Sequence, residues 1–449
     1  MLMFVVLVVL TPVLAYMATK RSPWLIAVWI FLGLAVPLAR VKVGPVSLYL
    51  GEYASAFALL AFWRPPTNEV VRRADIWYTV LVGVLIVGVL SSALRYGHFL
   101  EPTYLFIRYI AAMVPLIIIP RVIGDQRFAK AAMYGLILTG LTYGATAAAQ
   151  SSSRELAILV DNLYQIMRQG SSDEDAFLRS VAIVRGTSLR AYGFAGGPNL
   201  LAGSAFVVTA LLANFRSLYQ VRFWTNAAIG ASVLALGLSY SRHGLLALAV
   251  TFSVLIMLQP RRFARLAGVA LLALAVASFF ISESFWLERL GRGGITQDEN
   301  IYMRLVQRPL ELLVRIEHDP MLLVAGNGFG FEWFLSGDEL RAARFGFVSN
   351  SFLLYLFYTG LASEIAYIAF FIRTALHTRF LPRSKAAVAL ATWIGIAIIM
   401  ASDNYGFTKH HIPFGWCFLA AYILAHKEPA RYALGYPRYT GHSPVTNAA

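Results

Sequence analysis

DIWYTVLVGVLIVGVLSSAL, residues 75–94, carries a single charged side chain, Asp75, at its first position. Twenty residues of helix span about 30 Å, the thickness of a bilayer hydrocarbon core. Working outward, comparable apolar stretches recur near 2–18, 24–39, 47–63, 102–119, 130–150, 198–215, 224–240, 243–258, 266–282, 351–373, 386–402 and 413–426. The 449-residue chain is 58% hydrophobic and 14% charged, far too apolar for a soluble protein of this length. The expected fold is all-α: a polytopic membrane protein of about 12–13 transmembrane helices. The segments at 2–18 and 47–63 are the weakest.

Lys and Arg placement orients these spans, because short cytoplasmic loops collect positive charge. Lys20 and Arg21, Arg64, Arg72 and Arg73, Arg121 to Lys130, Arg216 and Arg222, Arg261 to Arg265, and Arg373 to Lys385 occupy alternate connections. Those connections are expected inside. The resulting division is residues 1–150 as N-terminal transmembrane helices, 151–197 as a periplasmic loop and 198–282 as central transmembrane helices. Residues 283–350 form a large periplasmic loop, 351–426 the C-terminal transmembrane helices and 427–449 a cytoplasmic tail. The N-terminus is expected outside, and it moves inside if either weak segment is not a span.

The formal charge of +15 is thus largely a topology signal. No basic stretch is interleaved with aromatics in the manner of a single-strand binder, so nucleic acid is not an expected partner. Cys417 is the sole cysteine, which excludes an intrachain disulfide and a thiolate metal cluster. Neither G-x-S-x-G nor a Walker loop occurs, against a serine hydrolase or ATPase. No metal and no cofactor is called for. The first segment lacks a basic n-region and an A-x-A site and is read as retained. No internal repeat is evident.

Two expected far-side segments interrupt the hydrophobic rhythm. In the first, Ser152 and Glu155 suggest a capping box opening an amphipathic helix, and RAYGFAGGPNLLAG follows at 190–203. There Arg190 precedes a glycine-rich turn, and Pro198-Asn199 starts the next span, a helix N-terminus suited to an anion; it also reads as a plain helix entry. In the second, TQDENIYMRLVQRPLELLVRIEHDP at 296–320 predicts a helix capped by Thr296 and Glu299 and stopped at Asp319-Pro320. Arg304, Arg308 and Arg315 share one face of it and suit a phosphate-bearing lipid, since guanidinium forks match phosphate oxygens. Glu311 on the same face equally permits an internal ion-pair ladder. Gly326 and Gly328 form a turn, and Ser349-Asn350 lead into a span. Arg242 and His243 mark a tight turn between spans. His410 and His411 are possible bases. Arg108 lies inside the fifth span, where an unpaired cation is expensive, so it is expected to meet a carboxylate, a lipid phosphate or water, with Glu52 and Glu364 as candidate partners.

In this order, these residues resemble the O-antigen ligase and polymerase superfamily of bacterial inner-membrane glycosyltransferases, over about residues 130–400. In that family a far-side arginine precedes a Gly-rich turn and Pro-Asn, matched by Arg190, Pro198 and Asn199. A Ser-Arg-Gly-like turn follows, here Ser241-Arg242-His243-Gly244. A loop arginine, a proline, a Gly-x-Gly turn and a His-Asn pair come next, matched by Arg304, Pro320, Gly326, Gly328 and Asn350. Ser349 departs from the family, standing where ligases have the acceptor-activating histidine. That departure favours polymerase over ligase and leaves His410, His411, Glu317 or Asp319 to act instead.

The resemblance implies a GT-C-like bundle and a metal-independent transfer at the periplasmic face. The donor would be an undecaprenyl-pyrophosphate-linked glycan and the acceptor a sugar hydroxyl. Arg190 and Arg304 would act on pyrophosphate, with Arg308 and Arg242 assisting; Ser349, Asn350, Asn199, Gly326 and Gly328 complete the site. A chain-length regulator or a flippase would be a natural partner beside the bilayer. The rival readings are a lipid-linked oligosaccharide flippase, which would align cations along a central cavity, and a membrane scaffold.

Overall fold

The computed structural model describes residues 2–43, 46–66, 69–168, 191–216, 221–260, 307–329, 350–402 and 411–426. The chain begins with α1 (Leu2–Thr19) and α2 (Trp24–Leu34), then a hairpin of β1 (Arg40–Val43) and β2 (Val46–Tyr49). Next come α3 (Leu50–Phe62), α4 (Glu69–Tyr96), α5 (Leu100–Val122), α6 (Gln126–Ser152) and α7 (Arg154–Arg168). They are followed by α8 (Pro198–Phe215), α9 (Arg222–Leu238), α10 (Arg242–Leu258), α11 (Arg308–His318) and α12 (Met321–Ala325). The last are α13 (Ser351–Thr359), α14 (Leu361–His377), α15 (Arg383–Ser402) and α16 (His411–Leu424).

Among the described residues, α4, α5, α8 and α15 are long and apolar enough to cross a membrane. The apolar stretch 75–94 lies within α4. Leu81, Leu85, Gly88, Val89 and Ser92 face the bundle at i, i+4, i+7 spacing, while Ile86, Leu90 and Leu94 stay exposed on the other side. An outer face of bare aliphatics is unfavourable against water and suits lipid.

The centre is α16, buried along its whole length against α2, α5 and α8. Small residues let other helices touch. A Cβ on Gly140 would lie 2.8 Å from the Ala228 carbonyl, and one on Gly144 2.5 Å from the Ala231 Cβ, so this Gly-x-x-x-Gly step presses α6 onto α9.

Successive long helices alternate in direction. One end gathers the basic connections: Gln259 Nε2 donates to the Arg383 carbonyl at 3.2 Å, and His377 Nε2 to that of His426 at 3.0 Å. The other end gathers the long loops: Arg40 Nε donates to the Arg168 carbonyl at 2.8 Å, and Ala191 N–H to that of Leu238 at 3.0 Å. These are called the basic end and the loop end below.

Three expectations are corrected. The segment 47–63 opens as strand β2 and only then becomes α3, because Val46 to Tyr49 pair antiparallel with Arg40 to Val43. The segment 351–373 is two helices, broken at Gly360 with φ +83°, where a Cβ would sit 2.5 Å from the Val324 carbonyl oxygen. The amphipathic helix after α6 is capped one residue later than expected, by Ser153, whose Oγ accepts from Leu156 N–H at 3.2 Å. Ser152 instead ends α6, its hydroxyl bonded to the Ala149 carbonyl.

Candidate functional site

Two features of the loop end combine charge with space. The first is built where the hairpin meets α5. Leaving β2, Tyr49 and Glu52 come within reach of Arg108, which is one turn along α5 from Tyr104 and from Ala111 and Ala112. Arg108 Nε donates to Glu52 Oε1 at 2.6 Å, with both side chains largely buried at 12% and 15% exposure. The guanidinium also lies 3.8 Å from the centre of the Tyr49 ring and 5.6 Å from that of Tyr104. Glu52 is therefore the partner, as one of the two expected; Glu364 is buried on α14.

Pairing offsets much of the cost of burying Arg108, yet its two Nη groups have no hydrogen-bond acceptor among the described residues. Beside the pair is a cavity of about 20 Å³ lined by Gly33, Pro37, Tyr49, Glu52, His411 and Phe414. That is room for about one water-sized group. His411 is thus placed at this centre, buried at the start of α16.

The second feature is an open groove of about 510 Å³ lined by Arg315, His318, Asp319, Leu322, Asn327 and Phe357. Its wall is α11, which ends at Asp319 as expected. Arg315 and His318, three residues apart, share a face. His318 Nδ1 donates to the Val314 carbonyl at 2.8 Å. With that proton held on Nδ1, the neutral ring offers its Nε2 lone pair to a proton, the arrangement of a general base. Glu311 accepts from Gln307 Nε2 at 3.0 Å. Arg95, closing α4, pairs with Asp319 at 2.6 Å, and its hydrogen bond holds that carboxyl below the ordinary range. A carboxylate so stabilised is a weaker base than a free one.

Asn327, which lines the groove, lies between the two glycines of the Gly-x-Gly turn. Gly326 and Gly328 have φ of +66° and +91°. A Cβ on Gly326 would lie 2.4 Å from the Tyr358–Thr359 peptide, and one on Gly328 2.3 Å from Ser92 Oγ. Both glycines therefore answer a packing demand. The turn plugs onto the α13–α14 break and α4: Gly328 N–H donates to the Tyr358 carbonyl at 3.0 Å, and Phe329 N–H to that of Gly88 at 3.1 Å. Tyr96 donates to Asn327 Oδ1 at 2.8 Å, fixing the residue between the glycines.

The remaining expected residues divide plainly. Arg190, Arg304, Ser349 and His410 lie outside the described residues, as does the Thr296–Glu299 capping box. Arg308 opens α11, with its side chain outside the description. Asn350 caps α13, its Oδ1 accepting from Phe352 and Leu353 N–H at 2.9 and 3.3 Å. Asn199 lies in the first turn of α8 and accepts from His243 Nε2 at 3.4 Å, so two motifs 44 residues apart meet. His243 is buried beside Ser241, while Arg242 is exposed. A Cβ on Gly244 would lie 2.7 Å from that of Ala202, fixing the close approach of α8 and α10.

The glycine-rich turn before α8 is pinned by Gln150, whose Oε1 accepts from Tyr192 and Gly193 N–H at 2.9 and 2.8 Å. Tyr192 donates to Asp161 at 2.5 Å, and burial, then that carboxylate, push its phenol far up.

Sequence reasoning missed His318 and Arg95. The i, i+3 spacing of Arg315 and His318 was legible; Arg95 had no signal beyond a cation closing a span.

Among the described residues no cluster of His, Cys, Asp or Glu is placed to hold a metal ion. Compared with known proteins, the chain matches no protein-family model and no curated sequence.

Proposed function

We propose that this chain is a polytopic membrane protein of about 12–13 spans, in a GT-C-like bundle, that transfers a glycan from an undecaprenyl-pyrophosphate-linked donor to the sugar hydroxyl of a second lipid-linked repeat unit. The loop end is then the periplasmic face of a bacterial inner membrane. The observation that carries the reading is Arg315 and His318 on one wall of an open groove beside the Gly-x-Gly turn. Breaking the anomeric C–O bond leaves negative charge on pyrophosphate, which fixed guanidinium groups stabilise most in the transition state. The acceptor hydroxyl loses its proton to a base, a role that His318 Nε2 suits now that Ser349 replaces the family histidine. Arg190 and Arg304 are the pyrophosphate ligands that the resemblance implies, and Arg308 and Arg242 assist. Arg108 is a further anion ligand of the same end, held by Glu52 and Tyr49.

The test is polymerisation by purified protein supplied only with a lipid-linked repeat unit, without nucleotide sugar or ATP. Product of several repeat lengths is expected from the wild type and none from Arg304→Ala or His318→Gln, both still folded. Wild-type chain lengths from both variants would remove these residues from the mechanism. Release of a single glycan onto a lipid A core acceptor would mark a ligase, and transbilayer movement of intact substrate without new glycosidic bonds would mark a flippase.

A further inference from the structure

The basic end holds a cavity that the transfer reading does not use. It occupies about 600 Å³ between α8, α9, α10 and α15. That volume lies in the range of ligand pockets. Its rim carries Arg216, Arg222 and Lys385, and among the described residues no acidic side chain lines it. Deeper, the walls are Ile229, Leu248, Phe252 and Phe206, together with Thr209 and Thr251, whose hydroxyls donate to the Ala205 and Ala247 carbonyls of their own helices. From Arg216 to Phe206 is ten residues of α8, about 15 Å of helix, or half of a hydrocarbon core about 30 Å thick.

We infer that this cavity binds one anionic phospholipid, with the phosphate at the Arg216–Arg222–Lys385 rim and an acyl chain along the walls toward Phe206. Three observations select that occupant. A rim of one sign needs an anion, and guanidinium groups suit phosphate. A mostly aliphatic and aromatic wall below the cations, with its two threonine hydroxyls already donated to helix carbonyls, disfavours a soluble anion, because a polar ligand would be desolvated there without donors. The depth matches one leaflet. Beside the rim, Phe223 and Trp224 are 73% and 52% exposed, an aromatic pair of the kind that sits at headgroup level. Thr392 Oγ1 accepts from Asn214 Nδ2 at 3.0 Å, so the polar groups between rim and wall are tied to each other across α8 and α15.

The inference does not depend on the transfer reaction, since the cavity is at the opposite end of the bundle. It is tested by native mass spectrometry of the purified chain exchanged into phosphatidylglycerol or phosphatidylcholine of equal chain length. The wild type is expected to retain one phosphatidylglycerol at least about tenfold more than phosphatidylcholine, each positive side chain near a lipid phosphate adding to the preference. The triple variant R216Q/R222Q/K385Q is expected to lose the preference. Ala213→Trp fills the cavity without altering charge and is expected to lose the bound lipid, so the test survives a triple variant that does not fold. Equal retention of the two lipids by the wild type, or undiminished retention by Ala213→Trp, overturns the assignment. Displacement of the lipid by equimolar glycerol phosphate overturns it too, because the walls would then contribute nothing.

Discussion

Helix α5 carries two buried arginines, one near each end, and they are treated differently. Arg121, at the basic end, has four of its five N–H donors engaged. Its Nη groups meet both oxygens of Asp75 at 2.7 Å, Nη1 also donates to the Ile117 carbonyl at 2.6 Å, and Nε donates to that of Arg64 at 2.9 Å. Arg108, at the loop end, spends only Nε, on Glu52, and rests its plane on Tyr49 beside a small cavity. A guanidinium bonded through all three of its nitrogens fixes helices. One with its Nη groups left over keeps capacity for an oxygen that the described residues do not supply.

The sharpest way to break that comparison is to remove Arg121. Arg121→Ala leaves Asp75 without its bidentate partner and is expected to cost about 3–5 kcal/mol, read as a large fall in Tm in detergent. If Arg108→Ala lowered Tm equally, the two arginines would be alike and the contrast would fail.

Second in size is the double variant R108Q/E52Q, which removes both charges and leaves neither stranded. Tm is expected to stay near wild type while polymer formation drops about 100-fold or more, the scale of losing one preorganised donor. Full activity would make the pair a structural bridge like its counterpart.

Third, Gly328→Ala places a methyl against Ser92 in a left-handed backbone and is expected to destabilise by about 1–3 kcal/mol. Chemical denaturation measures it, and an unchanged midpoint would refute the packing account of the turn.

Fourth, Asn350→Ala should cost about 1 kcal/mol of helix capping, whereas Asn350→Asp retains the acceptor oxygen. Activity lost in the Asp variant at unchanged stability would assign the Asn350 amide to substrate as well.

The smallest effect concerns pH. Arg95 lowers the Asp319 carboxyl, so the folded state binds that proton less readily than the unfolded chain. The pair therefore stabilises above about pH 4, the carboxyl's ordinary value, and the contribution fades as pH falls through the lowered folded value. Because Asp319 is 41% exposed, at most about 1 kcal/mol is at stake after solvent screening. Asp319→Asn should flatten that limb of a stability-against-pH curve, and an unaltered limb would show the pair to be idle.

Much of the fold was legible in the chain because membrane-length apolar runs declare themselves locally. The 198–215 segment was read to the residue, and Pro198 explains why, since proline at a first turn has no N–H to waste. The stop at Asp319-Pro320 was equally local. The hairpin at 40–49 was not, because its strands are short, mix polar with apolar residues and depend on pairing. Nor was the break at Gly360, where a glycine inside an apolar run reads as continuous helix until Val324 presses against it. At the site, His411 was singled out for its chemistry while its neighbours Glu52 and Tyr49 were not joined to it, being some 360 residues distant in sequence.

What the amino-acid order determined unaided is the helical, lipid-suited character of this protein, its alternation of basic and loop-rich connections, and the short list of cations worth watching. Hydropathy and charge are properties of each segment by itself, so no contact is needed to read them. What only the tertiary structure decided is how those cations are used: Arg121 bonded through all three nitrogens, Arg108 bonded through Nε alone, Arg95 neutralised by Asp319, Arg315 beside His318. The donors of a guanidinium are counted against acceptors brought in from remote helices, and that count exists only once the helices have packed.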